Sequence, residues 1–133
     1  MPLSAWAQKQ FPVDSSQIKI IDLKKEEGKP IEDIVTFLRR ANSPVAVKSL
    51  SPGKVIAVNV IKDTTWVITI KDMQKQYIYH GVGTTGLKQG DSIRRGTVIG
   101  KLTPVNDTVA VDFAMVQHRK SLTRKQLLKY FGK

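Results

Sequence analysis

Three side chains carry most of the chemistry this sequence offers. They are His80, at the end of YIYHG; Asp112, at the centre of TVAVDFAMV; and His118, in QHRK. These are the only two histidines, and there is no cysteine, so thiol nucleophiles, disulfides and Cys-ligated zinc are excluded. A catalytic zinc needs three protein ligands and an open position for water. A rebuilt site of that kind requires His80, Asp112 and His118 to converge, and an aspartate alone holds zinc weakly. The plainer reading makes His80 a polar residue closing a strand beside a glycine loop, and pairs Asp112 with a lysine or arginine. No spacing motif supports Ser-His-Asp catalysis. Gly81, Gly83 and Gly86 are followed by no GKS or GKT and open no helix, which excludes a nucleotide loop.

The elements that must position these residues are short β-branched runs separated by glycine and Asp-Gly-type breaks. From residue 46 onward the runs are VKS after Ala46, KVIAVNVI, WVITIK, QYIYH, SI, TVIGKL and TVAVDFAMV. Strand alternation puts Trp66, Ile68 and Ile70 on one face, and Val109, Val111, Phe113 and Met115 on a core face. Ala110, Asp112 and Ala114 then share the opposite, open face.

Before these strands, FPVDSSQIKIIDL suits a short strand ending at Asp22. Over residues 30–40 the spacing predicts a helix. Pro30 suits a first turn, and Ile31, Ile34, Val35 and Leu38 fall at i, i+3, i+4 and i+7. Glu32 and Asp33 would favour its start and Arg39 and Arg40 its end. At the other terminus Ser121 or Thr123 can cap a short helix holding Leu127, Leu128 and Phe131, with Gly132 as its stop.

A chain of 133 residues, 41% hydrophobic and with no run of transmembrane length, can bury one real core. Net charge is +11 and unevenly spread: residues 1–40 hold seven Lys/Arg against six Asp/Glu, residues 41–133 fifteen against five. A surface of that sign attracts anionic polymers or headgroups, with Arg94, Arg95, Arg119, Lys120, Arg124 and Lys125 as the candidate contacts. Ala5-Trp6-Ala7 has the small-x-small shape of an export cleavage site, without a basic and apolar stretch ahead of it.

SPGKVIAV, the extended VITIKD, YIYHG, LKQGDSIRRGTVIGKL and VDFAMV together resemble the LytM or lysostaphin-like zinc peptidase domain, over about half the chain. The resemblance implies a mainly β fold, a LytM-like sandwich or barrel-sandwich with an N-terminal helix and a short C-terminal helix. It divides the chain into an N-terminal segment, 1–44, and a β-domain with a basic tail, 45–133. The family's H-x-H pair would fall on Ala110 and Asp112, and its upstream H-x-x-x-D has no counterpart, since residues 30–54 contain no histidine. His80 matches a family histidine that helps stabilise the oxyanion.

A LytM-like domain without its ligands resembles the degenerate members that bind and regulate cell-wall hydrolases. The resemblance therefore implies no catalytic residue, no metal and no cofactor, and a periplasmic or extracellular location. The implied partner is a cell-wall hydrolase, another envelope protein or peptidoglycan, docked on His80, Ala110, Asp112 and Ala114. Three alternatives stand beside it. One is a zinc endopeptidase with the rebuilt site. Another is a lipoyl- or biotinyl-carrier domain, whose modified lysine would be sought at Lys71-Asp72-Met73. The third is a polyanion-binding β-domain stacking bases on Trp66, Tyr77 and Tyr79.

Overall fold

The computed structural model describes residues 12–13, 19–21, 33–61 and 65–132. Ten strands and one helix are built from them: β1 (Lys19–Ile21), β2 (Val35–Arg40), β3 (Val45–Lys48), β4 (Gly53–Ile61), β5 (Thr65–Asp72), β6 (Lys75–Val82), β7 (Ser92–Ile93), β8 (Val98–Leu102), β9 (Thr108–Gln117), β10 (Lys120–Ser121) and α1 (Arg124–Tyr130). One large antiparallel sheet runs in the order β1-β2-β9-β6-β5-β4-β7, with β10 also paired to β9. A second, two-stranded sheet joins β3 to β8.

The core lies between the large sheet, the β3–β8 pair and α1. Val109, Val111, Phe113 and Met115 are buried there, as the alternation of β9 requires. Phe113 meets Tyr79 at 5.3 Å and Phe131 at 5.5 Å between ring centroids. Phe131 also packs edge-on against Phe37, at 4.8 Å. The Tyr79 hydroxyl accepts the Leu50 amide N–H at 2.8 Å, which fastens the segment after β3 to the middle of the large sheet. Val13 is buried in the same core, and the Pro12 carbonyl accepts the Lys48 amide at 2.7 Å.

The short terminal helix forms as its sequence requires. Thr123 caps it: its hydroxyl accepts the Gln126 amide, and the Gln126 side chain accepts the Thr123 amide in return. Leu127 and Phe131 are buried, and Gly132 ends the element at φ 80°.

The helix expected over residues 30–40 is corrected. Val35–Arg40 is a strand, antiparallel to β1 on one side and β9 on the other. Residues 30–32 lie outside the described residues, as does the Ala5-Trp6-Ala7 sequence. The reason is tertiary. Val35 and Phe37, two residues apart on a strand paired with β9, are both buried, Phe37 against Phe131, while Arg40 is exposed. A lone helix of about ten residues is marginal in water. Pairing with β9 instead satisfies the backbone of a β-branched and aromatic run, Val35-Thr36-Phe37.

Lys71 does not sit at a hairpin tip. It lies within β5, directly opposite Lys54 and Gln76, which places it short of the exposed turn a carrier lysine needs.

Candidate functional site

β6 and β9 are neighbours, and their register sets His80 opposite Asp112 on the outer face of the large sheet. On the other side of β9, Thr36 of β2 also stands opposite Asp112. The Thr36 hydroxyl donates to Asp112 Oδ1 at 2.6 Å, and Asp112 Oδ2 lies 3.7 Å from His80 Nδ1. Thr36 is buried, Asp112 partly so, and the His80 side chain is 45% exposed. The carboxylate that sequence reasoning paired with a lysine or arginine is thus held by a threonine hydroxyl and faces an imidazole. This arrangement sets a carboxylate beside an imidazole.

It does not make a zinc site. His118 is on the turn after β9, six residues beyond Asp112, and at ~3.3 Å per residue that is about 20 Å along the strand. Its amide donates to the Gln74 carbonyl at 3.1 Å, at the opposite end of the sheet from His80. No three His, Cys, Asp or Glu side chains come together among the described residues. The rebuilt set of His80, Asp112 and His118 is therefore not assembled, and the donors present do not fit the family's metal.

Ala110 lies one step further along the open face of β9 and lines a groove of about 760 Å³. Its floor is minimal in side-chain bulk: Ala110, Gly81 and Gly83. Gly81 adopts φ 103°, a region that favours glycine, and a Cβ on Gly83 would strike the Thr103 hydroxyl. Trp66 and Val105 are the apolar walls, with Thr65, Thr103 and Thr108 at the rim. Val105 is 69% exposed. Ala114 stands beyond Asp112 in the other direction, opposite Ile78, and does not line the groove.

Alternation puts Trp66 on one face of β5 with Ile68 and Ile70, and it packs in part against the core that holds them. It also lines the groove. Opposite it the ladder skips Gly81 of β6, so that Trp66 meets Val82 while Val67 meets His80. Thr36 was missed by sequence reasoning, because its partner Asp112 is 76 residues away in sequence.

The candidate basic contacts lie in three segments. Arg94 and Arg95 follow β7, Arg119 is on the turn after β9 with Lys120 opening β10, and Arg124 and Lys125 are in the first turn of α1. All but Arg124 are exposed. Tyr77 and Tyr79 are buried in the core, so they offer no ring face to a nucleic-acid base.

No family model matches the sequence, and no curated protein matches it. Solved structures do. A chain of the SpoIIQ–SpoIIIAH pore-forming complex superposes with a TM-score of 0.68 at 15% identity, covering 87% of each chain. A zinc-containing peptidase from Vibrio cholerae gives 0.65 at 18% identity, over 86% of this chain and 38% of that one. The antimicrobial peptidase lysostaphin from Staphylococcus simulans gives 0.55 at 18% identity, over 74% of this chain and 44% of that one. This chain thus spans less than half the length of either peptidase. It has the LytM/lysostaphin-like fold, with Ala110 and Asp112 at the positions where the resemblance places the H-x-H pair.

Proposed function

We propose that this chain is a non-catalytic LytM-like domain of the bacterial cell envelope, one that binds another envelope protein or wall component in the groove beside Ala110. The observation that carries the reading is the groove itself. Where the family resemblance expects a metal-binding histidine, a methyl group on Ala110 and the bare backbone of Gly81 leave open floor between Trp66 and Val105. A large aromatic beside a small-residue floor can take an apolar anchor from a partner's extended segment. The Asp112–His80 pair next to it supplies a carboxylate and an imidazole for orientation. A fold neighbour that occurs in a two-protein pore-forming complex supports a protein partner, and the peptidase neighbours support a wall-associated setting.

The test compares the parent chain with Ala110→Arg as immobilised bait for envelope extracts of the native host. The substitution should abolish retention of the partner while leaving the melting temperature unchanged. Equal retention by both would remove the groove from the binding site. Release of peptides from purified peptidoglycan by the parent chain supplied with zinc would overturn the non-catalytic reading.

A further inference from the structure

At the end of the sheet remote from the groove, two hairpin tips lie side by side. The β5–β6 turn and the β9–β10 turn are joined by the His118 amide donating to the Gln74 carbonyl at 3.1 Å. Cations crowd this end. Lys54 and Lys71 are direct cross-strand partners, a like-charge pairing that works against the sheet. Lys75 stands opposite Gln117, which in turn faces Lys120. Arg119 completes the second tip, and Arg94 follows Ile93, the partner of Gly53 at the start of β4. Within the stretches 52–54, 71–76, 92–95 and 117–121 there is a single acid, Asp72.

Met73 lies at the tip of the β5–β6 turn, at the same end of the sheet as these cations. It is 85% exposed and adopts φ 57°, a left-handed conformation for which turns ordinarily use Gly, Asn or Asp. Neither its burial nor its backbone gives the fold a reason for methionine there. An apolar tip surrounded by lysines and arginines is complementary to a bilayer, in which anionic headgroups overlie acyl chains. A soluble polyanion would use the cations and leave Met73 idle, and for stacking on bases the two tips hold only the His118 imidazole, with no Phe, Tyr or Trp ring.

We propose that the paired tips of the β5–β6 and β9–β10 turns form a docking site for an anionic lipid bilayer, with Met73 entering the headgroup layer and Lys54, Lys71, Lys75, Arg119 and Lys120 contacting headgroup phosphates. Ala110 is seven residues from Gln117 along β9, about 23 Å at ~3.3 Å per residue, so the groove faces away from the bound surface.

Flotation of the full chain with phosphatidylcholine vesicles containing about a third phosphatidylglycerol tests this. The parent chain should float with these vesicles and not with pure phosphatidylcholine. Each cation near such a surface contributes about fivefold, so Lys71→Glu with Lys120→Glu should lower partitioning by at least about twentyfold. Met73→Asn suits the turn and should keep the fold, as circular dichroism would register. It should weaken vesicle binding several-fold yet leave binding to soluble polyphosphate unchanged. Absence of binding to the anionic vesicles overturns the proposal. So does a Met73→Asn chain that floats as well as the parent, since the site would then serve soluble polyanions.

Discussion

His80 and Asp112 face each other across β6 and β9, with Nδ1 3.7 Å from Oδ2, while the second Asp112 oxygen accepts the Thr36 hydroxyl at 2.6 Å. The carboxylate is thereby part of the sheet's own polar bonding, on the face where a partner would dock. Removing it should be felt as a loss of stability. Asp112→Ala leaves the buried Thr36 hydroxyl without its acceptor and should cost about 1–3 kcal/mol in denaturant unfolding. Adding Thr36→Val should recover most of that loss, because an apolar group replaces the orphaned donor. A double variant as unstable as the two single losses added together would contradict the pairing.

Ala110 and Phe113 are three residues apart on one strand and face opposite ways. Phe113→Ala should destabilise by about 3–5 kcal/mol, since it empties a fully buried aromatic site lined by Tyr79 and Phe131. Ala110→Arg should stay within about 0.5 kcal/mol of the parent, because it projects into open groove. Chemical denaturation of both variants checks the contrast.

Alkaline pH should unfold this protein more readily than the loss of lysine charge alone would. Burial, with the Tyr130 phenol nearby, pushes the Tyr77 hydroxyl up to about 12. Burial pushes Tyr79 up as well, against the opposing effect of its Leu50 hydrogen bond. In the unfolded chain tyrosine ionises near 10. Above pH ~10 the unfolded state therefore sheds protons that the folded state keeps, and stability falls until the folded phenols ionise too. The contribution is complete below pH ~10, and for Tyr77 its loss levels off above about 12. Tyr77→Phe should flatten part of that decline in a melting-temperature series.

Tyr79→Phe should cost about 1–3 kcal/mol at neutral pH, because the buried Leu50 amide loses its acceptor. Hydrogen exchange should show the Leu50 amide losing protection ahead of the β9 amides. Unchanged protection would mean that another acceptor serves Leu50.

Gly100→Ala should destabilise where Gly86→Ala does not. A Cβ on Gly100 would lie 2.5 Å from the Thr84 carbonyl oxygen, forcing backbone apart between β8 and the segment after β6. Overpacking of this kind costs about 1–3 kcal/mol. Gly86 has open space around it and should accept the methyl group. Thermal melts of the two variants make the comparison.

What the sequence determined by itself was local in origin. The period-two alternation of TVAVDFAMV sorted Val109, Val111, Phe113 and Met115 inward and Ala110, Asp112 and Ala114 outward, because both faces of a strand are written into consecutive residues. The terminal helix was legible from a Ser121 or Thr123 cap and the Gly132 stop, and the structure uses Thr123, which bonds Gln126 three residues on. The pairing of partners far apart in the chain could be decided only by the tertiary structure. Val35-Thr36-Phe37 fits a helical period and a strand period alike, and β9 chose the strand by offering a ladder and a core. Trp66 packs on the core beside Ile68 and also lines the groove, and only the folded arrangement of β5, β6 and β9 shows the second role. Thr36 reached Asp112, and His118 was carried away from both, because strand direction and register, not residue type, set which side chains meet.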